Sequence, residues 1–85
     1  CGSGIGISIA CNKVKGVRAA RVVTLDDVFE TRNDNDANII CLSEKNTIEK
    51  AYNLVKKFIE IPFSKVERHQ RRIDKITKYE EHNEC

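Results

Sequence analysis

The sequence has no methionine, no tryptophan and a single proline, Pro62. Aromatic residues make up only 6% of it, so any core must rest on aliphatic and small side chains. No apolar run approaches the roughly 20 residues of a membrane span, so no membrane partner is expected. The net charge of +2 is too small to point to nucleic acid. The four cysteines, Cys1, Cys11, Cys41 and Cys85, include no C-x-x-C pair, and there are only two histidines, His69 and His82. No zinc pattern follows. Cys11 and Cys41 fall inside predicted regular elements, where a thiol serves as a small apolar residue. The thiols are therefore read as reduced and the protein as cytoplasmic. Charged residues at 33% and hydrophobic ones at 40% describe a folded chain rather than a disordered one. Its 85 residues allow one small domain with a modest core.

What is present is concentrated at the start. Cys1-Gly2-Ser3-Gly4-Ile5-Gly6 places a thiol and a hydroxyl among three glycines, and Ile5 to about Val14 reads as a helix. Glycines permit positive φ and close approach of a ligand to the main chain. A helix start points its free N–H groups at whatever sits in the loop, and such a field favours the thiolate form of a cysteine held there. The competing interpretation is a plain strand-to-helix turn with a structural thiol, and for one glycine-rich loop alone it is the stronger of the two. The lack of methionine, and a loop of this kind with no strand ahead of it, lead to the expectation that residues 1–85 are the C-terminal part of a longer protein.

Further along, Gly16 is placed just past the first helix. Val17 to Val23 reads as a strand. Asp26 or Asp27 is expected to start a short helix carrying Val28 and Phe29. Asn33-Asp34-Asn35-Asp36 reads as a polar turn. Ala37 to Leu42 reads as a second strand, apolar enough to be buried on both faces. Asn46 and Glu49 are the spacing of a capping box, before a helix with Ile48, Ala51, Tyr52, Leu54, Val55, Phe58 and Ile59 at helical period. Pro62 ends it. A last, highly charged helix runs from about Lys65 toward Glu81, with a thin apolar side that points to a partner subunit. Alternating helices and strands specify an α/β fold with a parallel sheet. Two strands are too few for such a sheet. Ligands in these folds bind beyond the carboxyl ends of the strands, where the Cys1 loop, the Asn33–Asp36 turn and the Ser43–Thr47 loop are all expected.

Arg68 and Arg72 lie four apart on one helix face, a spacing suited to gripping a phosphate. From spacing alone, a solvated basic face balanced by Glu67, Asp74 and Glu80 is the simpler account. Nucleic-acid binding is not expected, since no aromatic residues interleave with the basic ones.

Taken together, the blocks resemble a known family. Cys1 through Ala19, Asn35-Asp36-Ala37-Asn38-Ile39-Ile40 and Arg68-His69-Gln70-Arg71-Arg72-Ile73 are similar, in order and separation, to signatures of the ribose-5-phosphate isomerase B family, a group that includes the galactose-6-phosphate isomerase subunits. The resemblance implies the C-terminal part of a Rossmann-like three-layer α/β/α domain with a long C-terminal helix. It implies aldose–ketose isomerisation through an enediolate, with no cofactor and no metal. Cys1 matches the proton-transfer base, Ser3 a hydroxyl position that is often threonine, and Gly2, Gly4 and Gly6 the oxyanion-stabilising loop. Asn35 matches a substrate-binding asparagine, and Arg68 and Arg72 the phosphate grip. Asp34 stands where a ring-opening histidine is common and is expected to do acid–base work in its place. Lys45 stands where an arginine is common and is expected to bind substrate. Val66-Glu67 stand where a glycine pair is common. A homodimer or homotetramer with sites near the subunit interface is implied, with a sugar phosphate as substrate. Without the family's N-terminal half, the 85-residue chain is expected to be inactive alone.

Overall fold

The computed structural model describes residues 1–82; Cys85, one of the thiols expected to be reduced, lies outside them. The elements are α1 (Ile5–Cys11), β1 (Ala19–Arg21), α2 (Leu25–Asn35), β2 (Ile39–Cys41), α3 (Ile48–Glu60) and α4 (Glu67–His82). β1 and β2 pair in parallel, with Ala19 opposite Ile39, Ala20 opposite Ile40 and Arg21 opposite Cys41. Side chains alternate along a strand, and this sorts the layers. Ala20, Val22, Ile40 and Leu42 meet Val28 of α2 and Leu54 and Phe58 of α3. Val22, Val28 and Leu54 are 2%, 0% and 1% exposed and form the centre of the core. Cys41 and Arg21 turn the other way, toward α1, where Cys11 neighbours Cys41 and Gly4 neighbours Arg21. The result is the Rossmann-like α/β arrangement expected, with helices on both faces of a parallel sheet and a long C-terminal helix. Among the described residues no helix is long and apolar enough to cross a membrane.

Several expected boundaries move. α1 stops at Cys11 rather than Val14, because the Asn12 side chain takes over. Its amide donates to the carbonyls of Ser8 (3.0 Å) and Ala19 (2.9 Å) and accepts from the Ala19 N–H (2.8 Å). One side chain thus ends the helix and occupies the outer edge of β1. Gly16, with φ 83°, serves the turn that follows rather than the helix end. α2 starts earlier than expected, behind Thr24. The Thr24 hydroxyl accepts from the Asp27 N–H, and the Asp27 carboxylate accepts from the N–H groups of Thr24 and Val23. It also runs through Asn33, Asp34 and Asn35, which are helical rather than a turn; the chain turns only at Asp36, in the left-handed region at φ 46°. The Arg32 guanidinium holds that end, binding the Asp36 carboxylate (2.9 Å) and the carbonyls of Ala37 and Ile61. Arginine at this point closes a helix that turn-forming residues alone would have ended sooner.

α3 is capped by Thr47, not Asn46: the Thr47 hydroxyl accepts from the Lys50 N–H at 3.1 Å, while the Asn46 amide donates to the Ser43 carbonyl. Pro62 ends α3 as expected by forcing Ile61 into extended backbone (ψ 119°). Its apolar stripe is wider than its own core uses. Leu54 and Phe58 face inward, whereas Ile48 and Ile59 are 91% and 76% exposed. α4 buries His69 and Ile73, packs against α2 of the same chain, and ends with the Glu80 carboxylate accepting from the Gly16 N–H at 3.0 Å.

The Val23 N–H, and then that of Thr24, hold the Asp27 carboxyl below its ordinary 3.8. A depressed folded value means that the stabilisation is complete above 3.8 and is lost as pH falls through the lower folded value. Asp27→Ala is expected to cost about 1 kcal/mol at neutral pH, and the gap from wild type should close at acid pH. Urea denaturation over a pH series reads it; a gap that stays undiminished down to the lowest pH at which both proteins still fold contradicts the capping role.

Candidate active site

At the carboxyl end of the strands two loops are stitched together. The Glu44 N–H donates to the Cys1 carbonyl (3.0 Å), the Ser43 hydroxyl to the Gly2 carbonyl, and the Arg21 guanidinium to the Ser3 carbonyl (2.9 Å). Gly4 has φ 84°, and a β-carbon there would stand 3.1 Å from the Leu42 carbonyl carbon, so only glycine fits. A β-carbon on Gly6 would lie 3.9 Å from the Cys1 sulfur, which places the exposed thiol over the first turn of α1. The Ser3 hydroxyl accepts from the Ile5 N–H (3.2 Å), leaving its own proton to donate elsewhere. Among the described residues the N–H groups of Gly6 and Ile7 take no acceptor. Lys45 is exposed in the neighbouring loop. Thiol, hydroxyl, glycine loop and ammonium therefore share one end of the molecule. Cys41 is a different thiol: burial, then the adjacent Cys11, push its pKa up, so it stays protonated and inert.

Asp34, Asn35, Arg68 and Arg72 are not at that end. A crossover helix runs antiparallel to the strands it joins, so the end of α2 sits at their amino ends. The expectation that the Asn33–Asp36 segment lies beside Cys1 is corrected accordingly. Its neighbours confirm the position. Arg18, just ahead of β1, donates to the carbonyls of Asn35 (3.1 Å) and Asp36 (2.8 Å). From Ile39 to Leu42 the strand alone, at about 3.3 Å per residue, puts roughly 10 Å between the two ends. α4 starts at this same amino end, where the Ser64 N–H donates to the Asn33 carbonyl (3.1 Å). Arg68 and Arg72 are exposed on α4, while His69 between them is buried. The Asp34 carboxylate accepts from the Asn33 amide (2.8 Å) and lies 3.7 Å from the His69 Nε2. A cleft of about 810 Å³ also opens here along the outer edge of β1, between Asn12, Arg18, Thr31, Asn35 and Glu80.

The model of the Ribose/Galactose Isomerase family matches residues 1–76. The chain belongs to that family. It is 44% identical over 85 residues to a probable ribose-5-phosphate isomerase B of Mycoplasma genitalium, a match covering 99% of this chain and 55% of the relative. It is 39% identical to the ribose-5-phosphate isomerase B of Mycobacterium tuberculosis, over 99% of this chain and 52% of that protein. Among solved structures, the type B ribose 5-phosphate isomerase of Trypanosoma cruzi superposes with a TM-score of 0.92 at 47% identity, over 99% of this chain and 56% of that one. The Mycoplasma genitalium enzyme with bound ribulose-5-phosphate gives 0.90 at 44%, over 95% and 53%. The chain thus spans about half the length of the relatives it matches.

Sequence reasoning left several residues without a role. Arg21 and Ser43 pin the Cys1 loop through backbone carbonyls, a contact with no motif to announce it. Ser64 escaped notice for the same reason. His69 was visible inside the Arg68–Ile73 block, and its place between two arginines at helical spacing was the available signal.

Gly4→Ala is expected to lower stability by roughly 2 kcal/mol or more, since it adds both left-handed strain and a backbone clash. Gly6→Ala, inside α1 and in ordinary contact distance of the Cys1 sulfur, should melt at or slightly above wild type. Thermal unfolding by circular dichroism checks the pair; equal melting temperatures for all three proteins would refute the close-approach account of Gly4.

Proposed function

We propose that this chain carries the proton-transfer thiol and the phosphate clamp of an aldose–ketose isomerase acting on ribose 5-phosphate. The observation that supports it best is the Cys1 thiol poised over unpaired N–H groups of α1, in a chain whose relatives are isomerases. Cys1 as thiolate removes the proton from C2 of the open-chain aldose and returns it to C1, while the hydroxyl proton on O2 passes to O1, so that C1 becomes the alcohol and C2 the carbonyl. The enediolate oxygen formed between these steps is met by N–H groups of the Gly2–Gly6 loop and by the Ser3 hydroxyl. Arg68 and Arg72 grip the phosphate, Lys45 adds a positive charge, and Asn35 binds a sugar hydroxyl. Asp34, expected as an acid–base group, has its carboxylate turned to Asn33 and His69 within its own chain, and we give it no step on the sugar.

Because thiol and clamp lie at opposite ends of one chain, they work together only when two copies combine, so the working form is a homodimer or homotetramer. The 85-residue chain alone is expected to show no appreciable turnover, since it spans half of its relatives' length. A second reading, a sugar-phosphate binder without turnover, draws support from Asp34 at the position where the family resemblance carries histidine. In a completed chain, made by exchanging this sequence for the matching part of the Mycoplasma genitalium relative, Asp34→His separates the two: a large gain in rate favours the binder reading for the natural sequence.

The same completed chain tests the main proposal. It should convert ribose 5-phosphate to ribulose 5-phosphate, and Cys1→Ala should lower kcat at least about a hundredfold. Conversion undiminished by Cys1→Ala would defeat it.

A further inference from the structure

We propose that His69 is a positioning residue for the Arg68–Arg72 clamp, and that Asp34 serves His69 rather than the sugar. This rests on the clamp reading above. His69 is 7% exposed on a helix whose surface is otherwise densely charged. Its Nδ1 has a hydrogen-bond partner, and its Nε2 faces a carboxylate, on two separate pieces of chain. Nδ1 lies 3.1 Å from the Ser64 hydroxyl in the loop ahead of α4. Nε2 lies 3.7 Å from the Asp34 carboxylate in the last turn of α2. The Ser64 oxygen already accepts from the Val66 N–H (3.2 Å). The assignment that uses every group has Ser64 donating its proton to Nδ1, which leaves the ring proton on Nε2, facing Asp34.

The consequence is rotational. With about 100° per residue, Arg68 and Arg72 lie on the same side of His69, roughly 40° apart around the helix. Both guanidiniums therefore move together if α4 turns about its axis. Side chains reach at least about 5 Å from the axis, so a 20° turn displaces each guanidinium by roughly 2 Å or more. A misplacement of about 1 Å already costs on the order of a hundredfold in an oriented reaction. His69 resists that rotation because it is buried where α4 packs on α2, with the Asp34 carboxylate facing it, and is hydrogen-bonded to the entry loop; the Ser64 N–H to the Asn33 carbonyl closes the same junction. The Asn33 amide in turn donates to the Asp34 carboxylate and steadies it. Ile73, four residues on, supplies only apolar burial, which does not resist turning in the same way.

The test compares ribose 5-phosphate binding by calorimetry with the side-chain Nε–H resonances of Arg68 and Arg72, in the natural 85-residue chain. His69→Ala is expected to weaken binding about tenfold and to shift both arginine resonances before any ligand is added. His69→Gln, whose amide N–H stands near the ring Nε2 position, should recover most of the affinity, which a merely space-filling role would not predict. Asp34→Asn, at a half-exposed position that should not threaten folding, is expected to give a smaller loss in the same direction. If Arg68→Ala and Arg72→Ala abolish binding while His69→Ala and Asp34→Asn bind as wild type, the positioning role is wrong. If the arginine variants themselves leave binding unchanged, the clamp reading fails instead. The resonances then decide the role of His69: unmoved by His69→Ala, they overturn it; shifted, they uphold it.

Discussion

A parallel pairing of two short strands, Ala19–Arg21 beside Ile39–Cys41, sets the terms for everything else in this molecule. Parallel neighbours require the chain to return from the carboxyl end of one strand to the amino end of the next. α2 makes that return, and Val28 buries against Val22 and Leu54 as it does so. The direction of the return decides where chemistry-bearing residues land. Whatever follows a strand sits at the carboxyl end, and whatever ends the crossover helix sits at the amino end. Cys1, Ser3 and Lys45 fall at the first. Asp34 and Asn35 fall at the second, and α4, which starts against the end of α2, adds Arg68 and Arg72 there.

Each end is held by a different kind of bond. The thiol loop is fixed through its main chain, by Glu44, Ser43 and Arg21 reaching the carbonyls of Cys1, Gly2 and Ser3. That leaves the Cys1 thiol and the Ser3 hydroxyl proton uncommitted. The end that carries Arg68 and Arg72 is fixed through side chains, by Arg18 and Arg32 around Asp36 and by His69 between Ser64 and Asp34. That leaves Arg68 and Arg72 exposed. In both places the groups that hold the site are distinct from the groups that would touch a ligand.

Much of this was legible in the amino-acid order. Element types and their alternation followed from periodicity, but the apolar run of β2 is less covered than expected: Cys41 is buried, while Ile39 and Ile40 are only half-buried. The three glycines around Ser3 announced the loop, and Gly4 does need its positive φ. What was not legible came from contacts between distant residues. Asn33-Asp34-Asn35-Asp36 has the composition of a turn, yet Arg32 ties Asp36, Ala37 and Ile61 together and keeps the first three helical. Asn12 ends α1 early because it bonds to Ala19, seven residues away. The expected grouping of the Asn33–Asp36 segment with Cys1 failed for a topological reason: a residue at the end of a crossover helix cannot share the end where that helix begins.

That separation is also the basis for reading the site as one shared between copies, and subunit complementation tests it most directly. Two versions of the completed chain would be prepared, one with Cys1→Ala and one with Arg68→Ala and Arg72→Ala, each inactive by itself. Mixed, unfolded and refolded together, they should recover about a quarter of the wild-type isomerase activity, because half of the dimers are then mixed and each mixed dimer holds one intact site. Individually inactive variants that recover nothing on co-refolding would place thiol and clamp in the same chain, contrary to the geometry described.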